Sequence, residues 1–319
     1  MYILHAITFI MLFYIYMEKI ALKAKDATAL DFYLSRSKKA NCSGVIQISH
    51  GMAEHKVRYS EFINFFNAQG YHVVVHDHRG HGSRVFDNQA GHFSDQDGWN
   101  KVVDDLLLIH AELKTIFPST PKILLGHSMG SWIALSALQQ NATYDAVLLS
   151  GSGYPNAIES FIQKVFLGLE IMRLGKGGYS KPLHQLIFGG FNARFKETLT
   201  SSDWLSRDKK SVENYIDDPL CGFIVSNKLW SDVIHGIERV FSNVNLSHMC
   251  KKTPILIFSG SCDPVGGMGR NVRKLKQCFD ENNLKSELYM VDGARHETLN
   301  EIDKITTYNY ILGFLKKHL

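Results

Sequence analysis

Cysteine is scarce in this chain of 319 residues, and its spacing follows no known pattern. The five cysteines are an odd number, and no two of them have the C-x-x-C spacing of zinc ribbons or redox motifs. Their number and spacing argue against a disulfide framework and against a zinc ribbon. Such cysteine usage is typical of a reducing compartment, so the predicted localisation is cytoplasmic.

A strong charge of one sign is also missing. The formal net charge is only +4, and no cluster of Lys and Arg is interleaved with aromatic residues. A protein that binds single-stranded nucleic acid needs such a cluster to follow the phosphates and stack on the bases. The sequence therefore predicts no nucleic-acid partner. Its 45% hydrophobic and 21% charged residues are ordinary for a globular protein with a sizeable core.

The N-terminal segment lacks charge but is short for a membrane span. Residues 2–17 contain no Asp, Glu, Lys or Arg, whereas a spanning helix needs about 20 apolar residues. The segment also lacks the basic start and the cleavage site of a secretory signal. Three interpretations stay open: a membrane anchor, a buried or interfacial helix, and an upstream extension before a start at Met17. If the segment inserts, Lys19, Lys23 and Lys25 favour a cytoplasmic catalytic domain attached to the membrane through residues 2–17.

From Glu18 onward, short apolar runs alternate with amphipathic segments. This alternation predicts an α/β fold in which helices flank a mostly parallel central sheet. An antiparallel hairpin is predicted for residues 18–34. Further strands are predicted for residues 44–49, 71–76, 122–125, 146–149, 253–258 and 287–291, and helices for residues 58–69, 98–117, 129–140, 268–279 and 301–317.

The alternation stops between residues 152 and 249. Helix-like apolar spacing with Gly interruptions replaces the strand pattern there, and strands resume afterwards. We therefore predict one α/β core, residues 18–151 and 250–319, interrupted by a helical cap insertion, residues 152–249. Residues 1–17 form a separate apolar segment before this core.

A candidate nucleophile lies in the segment Gly126–Gly130, which reads GHSMG. The G-x-S-x-G pattern is common by chance, but here a predicted strand precedes it and a predicted helix follows it. Such a turn is so sharp that glycine is needed on both sides of the serine. It presents the hydroxyl of Ser128 at the end of the strand, next to the positive end of the helix. We therefore interpret Ser128 as the nucleophile of a serine hydrolase.

A serine hydroxyl needs a base, and the base in turn needs an acid that orients it. In chains with this nucleophile turn, the acid and then the histidine follow the serine along the sequence. His296 follows the last predicted strand, and Asp263 follows the strand before it. Asp292 competes with Asp263, but it lies in the same loop as His296 and is poorly placed to hold the imidazole from the opposite side. We therefore predict Ser128, Asp263 and His296 as the catalytic residues.

The tetrahedral intermediate of such a reaction needs donors for its oxyanion. We assign this oxyanion hole to the backbone N–H groups of Met129, directly after the nucleophile, and of Met52, after the strand that ends at Ser49. His50 is interpreted as a support of that loop. No cofactor is predicted.

A histidine-rich run, residues 76–81, offers an alternative chemistry. It superficially resembles the H-x-H-x-D-H motif of binuclear zinc hydrolases, but Gly80 stands where that motif needs Asp. More distant ligands are not evident, so a hydrogen-bonded loop is favoured over a zinc site. No metal is predicted.

Together these motifs resemble a known family. Residues 50–55 (HGMAEH), 77–83 (DHRGHGS), 126–130 and 263–265 (DPV) are similar to the monoacylglycerol lipase and lysophospholipase branch of the α/β-hydrolases, which is also grouped with the S33 serine aminopeptidases. The resemblance covers the chain from about Met17 to its end, and segments of residues 203–207 and 218–222 look like bacterial members. One departure is Ala53, where members often have Gly.

The resemblance implies the α/β-hydrolase fold, the same catalytic residues, a helical cap and a preference for single-acyl lipid esters. The residues of the predicted cap permit such a lipid preference, because six apolar residues recur there at helical spacing and form one apolar stripe: Phe161, Ile162, Val165, Phe166, Leu169 and Met172. The stripe has two interpretations: packing on the core below, or an acyl-chain entrance that also contacts membrane lipid. The partners predicted are a small amphiphilic ester and a membrane surface, met through the cap or the N-terminal segment.

Other functions remain as alternatives at this point. The same fold also serves aminopeptidases or amidases, which need an acidic group for the substrate's amino terminus, and acyltransferases, which differ only in the acceptor of the acyl group. A non-enzymatic receptor or scaffold is disfavoured because all three catalytic positions have candidates. The acyl chain length and the oligomeric state are not evident from the sequence.

Overall fold

The computed structural model describes residues 17–319. The predicted apolar segment lies outside the described residues except for Met17. Eight strands form one sheet in the order β1-β2-β4-β3-β5-β6-β7-β8. The strands are β1 Glu18–Lys23, β2 Ala29–Ser35, β3 Gly44–Ser49, β4 Tyr71–His76, β5 Lys122–His127, β6 Ala146–Ser150, β7 Ile255–Gly260 and β8 Ser286–Val291.

The sheet is mixed, with parallel pairing from its centre to one edge. β1 and β2 form the predicted antiparallel hairpin, and β2 pairs antiparallel with β4. All the other neighbours pair in parallel. This architecture confirms the predicted α/β class, with a mostly parallel sheet.

Helices cover both faces of the sheet. Their bounds are α1 Ser60–Gln69, α2 Gly98–Ile116, α3 Met129–Leu138, α4 Ala157–Leu174, α5 Lys181–His184, α6 Gly190–Asn192, α7 Lys209–Asp217, α8 Asn227–Val240, α9 Asn243–Ser247, α10 Arg270–Glu281 and α11 Lys304–His318. A π-helical turn, Gln185–Gly189, joins α5 to α6, and short 3-10 turns cover Lys56–Tyr59, Gly82–Arg84 and Thr298–Asn300. The helix predicted for residues 58–69 thus begins as a 3-10 turn, and the last helix begins at Lys304, later than predicted.

The central strands are buried on both faces because side chains alternate between them. In β7, Ile255 and Ile257 belong to the apolar cluster that α2, α3, α8 and α10 cover. Leu256 and Phe258 point to the other face and pack with the cluster under α1 and α11. This two-sided burial explains why these strands appear in the sequence as continuous apolar runs.

Residues 152–249 contribute no strand to the sheet, although Tyr179 and Ser226 form an isolated bridge. They contain helices α4 to α9 and connect β6 to β7. The division into a core and a cap stays a prediction, and we call residues 152–249 the cap segment. Among residues 17–319, no helix combines the length and the apolar character that a bilayer span requires.

Candidate active site

The predicted site residues meet at one edge of the sheet. Ser128 follows β5, Asp263 follows β7 and His296 follows β8, while the loop with Met52 follows β3. Since these strands are parallel, their carboxyl ends lie at the same edge, where ligands of open α/β sheets bind.

Ser128 lies in a strained turn between β5 and α3. Its backbone has φ 51° and ψ −121°, a region that L-residues rarely adopt. A Cβ atom on Gly126 would lie 2.5 Å from the carbonyl oxygen of Gly130, and one on Gly130 would lie 2.1 Å from that of Ser49. Glycine at both positions therefore allows the tight turn that the sequence predicted.

Asp263 holds the imidazole of His296. The ring Nδ1 lies 3.0 Å and 3.1 Å from the two carboxylate oxygens of Asp263. With Nδ1–H donating to this carboxylate, Nε2 is left as the proton acceptor. Asp263 also accepts hydrogen bonds from the Ser259 hydroxyl and the Val265 N–H, which fix its orientation. The rival acid, Asp292, instead accepts a hydrogen bond from Ser261.

The pKa values of this pair move in opposite directions. Burial opposes the charge of Asp263, but the neighbouring His296 and the hydrogen bonds to the carboxylate keep its pKa below the ordinary value. Burial likewise opposes the charge of His296, but Asp263, Glu297 and Glu54 raise its pKa above the ordinary value. The site therefore stabilises an imidazolium next to an ionised carboxylate.

His296 lies next to His127, the last residue of β5 directly before Ser128, and next to Gly151, which follows β6. The rings of His127 and His296 lie 4.9 Å apart, and a Cβ atom on Gly151 would lie 2.8 Å from Cε1 of His296. The described part of the chain contains no hydrogen bond between Ser128 Oγ and His296. In ligand-free enzymes this contact is often long and tightens when substrate binds.

The loop after β3 presents a free backbone donor. Within residues 17–319, the N–H of Met52 donates to no protein acceptor, and the N–H of Met129 opens α3, where helical N–H groups have no partner in the helix. Ala53 adopts φ 53°, which favours glycine and explains why Gly suits this position. His50 supports the loop, since its Nδ1 donates to the Gly51 carbonyl and its Nε2 accepts from the His78 N–H.

A buried ionic network, not foreseen from the sequence, joins this loop to His296. Glu54 accepts hydrogen bonds from the Gly51 N–H at 2.5 Å, the Tyr59 hydroxyl at 2.9 Å and the Arg58 guanidinium at 2.8 Å. Arg58 also binds both carboxylate oxygens of Glu297, at 2.5 Å and 2.7 Å. Burial opposes the charge of Glu54, yet mainly Arg58 lowers its pKa to about 2. No periodic pattern in the sequence indicated these partners, because Glu54 lies in a loop and Glu297 is 239 positions from Arg58.

The cap segment contacts the other side of His296. The ring of Trp204 lies 5.2 Å from the imidazole, and its carbonyl accepts the His296 N–H at 3.4 Å. The N–H of Glu297 donates to Leu205 at 2.8 Å. Arg295 donates to the Asp203 carbonyl and lies over the ring of Phe195. Cap residues 203–205 thus fix the loop that carries His296, and their positions could not be found from local pattern.

A cavity of about 350 Å³ lies next to Trp204, the side chain that packs on His296, although neither His296 nor Ser128 lines it. Its volume is at the lower end of the range for small-molecule sites. Ala53 from the loop after β3 lines it together with cap residues that include His184, Phe188, Phe195, Trp204 and Tyr215. The lining therefore comes from the cap segment except for Ala53. Trp204, one of the lining residues, also packs on His296.

The histidine-rich run after β4 forms a hydrogen-bonded loop. His78 Nε2 contacts the Ser49 hydroxyl at 3.1 Å, and His81 Nδ1 contacts the Arg79 carbonyl at 2.9 Å. Burial lowers the pKa of both His76 and His81 to about 3. These neutral rings brace the loop behind His50, as the favoured interpretation predicted.

Comparisons with known proteins identify the family of this chain. A family model described as serine aminopeptidase, S33, matches residues 40–303. The monoacylglycerol lipase of Mycolicibacterium smegmatis is 26% identical over 86% of this chain and 89% of its own length. Phospholipase YtpA of Bacillus subtilis is 32% identical over 86% of this chain and 96% of its own. The crystal structure of a thermostable carboxyl esterase from Bacillus coagulans superposes with a TM-score of 0.82, at 23% identity, covering 94% of this chain and 99% of the esterase.

Proposed function

The chain belongs to the serine aminopeptidase S33 family of α/β-hydrolases, and from this premise we propose that it hydrolyses carboxylic esters of single-acyl lipids, either monoacylglycerols or lysophospholipids. The observation that carries the proposal is the placement of Ser128, in a strained turn, at the sheet edge where Asp263 orients His296. The matched relatives, a monoacylglycerol lipase and a phospholipase, support the choice of lipid esters.

The proposed reaction starts at Ser128. Its Oγ attacks the ester carbonyl carbon while His296 Nε2 takes the hydroxyl proton, and the imidazolium is stabilised by Asp263. The negative charge on the carbonyl oxygen is bound by the N–H groups of Met52 and Met129. His296 then gives its proton to the leaving alcohol, glycerol or a glycerophospho group, and the acyl-enzyme remains.

Deacylation repeats these steps with water. His296 takes a proton from water, the resulting hydroxide attacks the acyl carbon, and the fatty acid leaves as Ser128 regains its proton. An acyltransferase would differ only by using an alcohol in place of water. No residue of the described chain favours that alternative over hydrolysis.

The lining of the cavity favours esters over peptides. An aminopeptidase needs an acidic side chain for the substrate's amino terminus. Among the described residues that line the cavity there is no Asp or Glu, while the rings of Phe188, Phe195 and Trp204 offer apolar contact for an acyl chain. We therefore favour ester cleavage over aminopeptidase or amidase activity.

Replacing Ser128 tests the reaction. Ser128→Ala should abolish hydrolysis of p-nitrophenyl esters and covalent labelling by a fluorophosphonate probe, because the hydroxyl is the atom that the ester acylates and the probe modifies. Circular dichroism should show an unchanged fold. Ser136→Ala is the matched control: Ser136 is buried in the same helix, α3, and its hydroxyl bonds to Trp99 and not to the nucleophile turn, so this variant should still be labelled. Labelling that survives in Ser128→Ala would refute the assignment.

The substrate class needs its own measurement. Rates with monoacylglycerols and lysophospholipids of increasing chain length should exceed the rate with acetyl esters, because a longer chain makes more contact with the aromatic rings of the cavity, those of Phe188, Phe195 and Trp204. A sharp preference for acetyl esters would contradict the lipid assignment without touching the role of Ser128.

We further propose that helix α4 contacts a lipid surface. Packing on the core, the first interpretation of its apolar stripe, does not hold for five of the six residues, because each of these is at least half exposed: Phe161, Ile162, Val165, Leu169 and Met172. Only Phe166 packs against the core cluster. A contiguous apolar face of this kind is typical of interfacial helices.

If α4 contacts lipid, charged substitutions on its apolar face should reduce the activity toward micellar substrate but not toward soluble substrate. The double variant Phe161→Asp/Met172→Asp should hydrolyse micellar monoacylglycerol several-fold more slowly, because charged groups on this face oppose insertion. Its rate with soluble p-nitrophenyl butyrate should stay unchanged, since neither residue lines the cavity. Equal losses with both substrates would show that the face acts on catalysis and not on docking. A cytoplasmic location and an attachment through residues 2–17 stay predictions.

A further inference from the structure

Three metal-binding side chains meet outside the proposed catalytic residues. His55 ends the loop after β3, while Asp218 and Cys221 lie in the turn after α7 of the cap segment. The imidazole nitrogen, the carboxylate oxygen and the thiol sulfur all lie within 4.8 Å of one another. Among residues 17–319, this is the only group of three or more His, Cys, Asp or Glu side chains that converges in this way.

We propose that His55, Asp218 and Cys221 bind a borderline-soft divalent cation, with Zn²⁺ as the best match. Imidazole nitrogen, thiolate sulfur and carboxylate oxygen are the donors that zinc takes in proteins. Three protein ligands leave the fourth tetrahedral position for water. A harder cation such as Mg²⁺ or Ca²⁺ would need several more oxygen ligands.

The cluster is close to the required geometry. His55 Nε2 lies 2.8 Å from Asp218 Oδ2, and ligand atoms around a tetrahedral zinc lie roughly 3.3–3.8 Å apart, from the usual bond lengths. Binding would therefore widen this pair slightly, while the thiol already lies within 4.8 Å of both atoms. The turn of residues 218–221 allows such a shift, because Asp218 is 20% exposed.

Backbone hydrogen bonds already orient the turn that carries Asp218 and Cys221. The N–H of Leu220 donates to Asp218 Oδ1 at 2.9 Å, which leaves Oδ2 directed at His55. The N–H of Cys221 donates to the carbonyl of Asp218, also at 2.9 Å. Such fixed second partners restrict how far the ligands must move when a metal binds.

The proton balance of binding is simple. The Cys221 thiol releases its proton to solvent, and the imidazole carries its proton on Nδ1 so that Nε2 coordinates. One thiolate and one carboxylate then neutralise the two charges of Zn²⁺ in a site whose His55 and Cys221 are buried. No oxidant, reductant or other reactant is needed.

The bound ion would connect two parts of the molecule that flank the cavity. His55 belongs to the loop that carries Met52, and the turn of Asp218 and Cys221 is joined to the same loop by the Gly222 N–H, which donates to Ala53 at 2.9 Å. Coordination would therefore fasten the cap segment to this loop. This inference goes beyond the proposed ester hydrolysis and does not depend on it.

Cobalt spectroscopy tests the site in the full-length, chelator-treated protein. Titration with Co²⁺ should produce a thiolate-to-cobalt charge-transfer band and the visible bands of tetrahedral Co²⁺ at one equivalent. Cys221→Ala should lose the charge-transfer band, and Asp218→Asn should bind Co²⁺ at least about 10-fold more weakly, as for a lost ligand. Zn²⁺ should displace the cobalt and raise the Tm of the wild type but not of Cys221→Ala.

The control uses a different thiol. Cys250 is exposed and is the group on which adventitious cobalt would bind, so Cys250→Ser should keep the full spectrum. A wild type without the band, a band that survives in Cys221→Ala, or one that disappears in Cys250→Ser would each overturn the proposal. If Cys221→Ala does not fold, Asp218→Asn decides, because its side chain is partly exposed and unchanged affinity would also overturn it.

Discussion

At the scale of single residues, the proposed site depends on one strained serine and on one histidine whose pKa is raised. Ser128 has φ 51° and ψ −121°, a conformation that costs about 1–3 kcal/mol in a non-glycine residue. The strain lifts Oγ off the end of β5 and leaves the N–H of Met129 free beside it. The neighbouring backbone packs so closely against Gly126 and Gly130 that it holds this turn in its strained conformation.

The raised pKa of His296 predicts the pH dependence of the reaction. His296 must be neutral to accept the proton of Ser128, and its pKa lies above the ordinary 6.5. Activity should therefore rise with pH through a midpoint above 6.5 and be lost below it, as the imidazole becomes protonated before substrate binds. The pH profile of kcat/KM measures this midpoint in the free enzyme. A midpoint below 6.5 would contradict the assignment.

Glu297 contributes to this raised pKa, and its removal provides a test at the same scale. Glu297→Gln removes a negative charge beside His296, so the pKa should fall and the acidic limb of the profile should move to lower pH. Asp292→Asn is the matched control, because Asp292 bonds to Ser261 and not to His296. Its profile should coincide with that of the wild type.

At the scale of elements, the position of α3 against β3 decides whether the proposed oxyanion donors can converge. Gly130 lies so close to the last carbonyls of β3 that no side chain fits between helix and strand. The first turn of α3 therefore sits against the strand whose following loop carries Met52. Helix, nucleophile turn and loop therefore pack directly against one another.

A pair of glycine variants tests this packing. Gly130→Ala should lower both activity and the free energy of unfolding, because its Cβ would lie 2.1 Å from the Ser49 carbonyl oxygen and 2.4 Å from that of His50. Overpacking of this kind typically costs about 1–3 kcal/mol. Gly168→Ala in α4 is the control, because nothing lies within 4 Å of its added Cβ, and alanine favours helix by about 1 kcal/mol. Urea denaturation and ester hydrolysis should show lower stability and lower activity for Gly130→Ala, but no such losses for Gly168→Ala.

At the scale of the whole molecule, Arg58 joins segments that are far apart in sequence. Its guanidinium binds Glu54 in the loop after β3 and Glu297 next to His296, 239 positions away. It also lies 4.8 Å from the ring centroid of Tyr215 in the cap segment. One largely buried cation thus links the loop after β3, the loop that carries His296 and a cap residue, Tyr215, that lines the cavity.

Removing this cation should destabilise the fold. Arg58→Met leaves two buried carboxylates without their partner, and such a loss typically costs about 3–5 kcal/mol. Arg36→Met removes the pair of Arg36 with Glu18, in which both side chains are at least half exposed, and should cost at most about 1 kcal/mol. The difference between the two midpoints of urea denaturation measures the effect. Equal midpoints would mean that the network contributes little to stability.

The sequence by itself determined the features that depend on local backbone and local period. The strand pattern, the hairpin of β1 and β2 and the sharp turn around Ser128 follow from alternating apolar residues and from glycine at two positions. That Ser128, Asp263 and His296 meet follows from the parallel sheet, since the strands that precede them end at one edge. The observed helix bounds differ from the predicted ones by a few residues, because the first or last turn of a helix depends on its neighbours in the fold.

Only the tertiary structure decided which distant side chains meet. The pairing of Arg58 with Glu297, the packing of Trp204 on His296 and the convergence of His55 with Cys221 join segments whose separation in the sequence carries no periodic signal. In the cap, the amphipathic spacing of α4 could not tell whether protein or solvent covers its apolar face, because periodicity reports a face and not its partner. Local conformation is encoded by neighbouring residues, whereas such contacts exist only once the whole chain has packed.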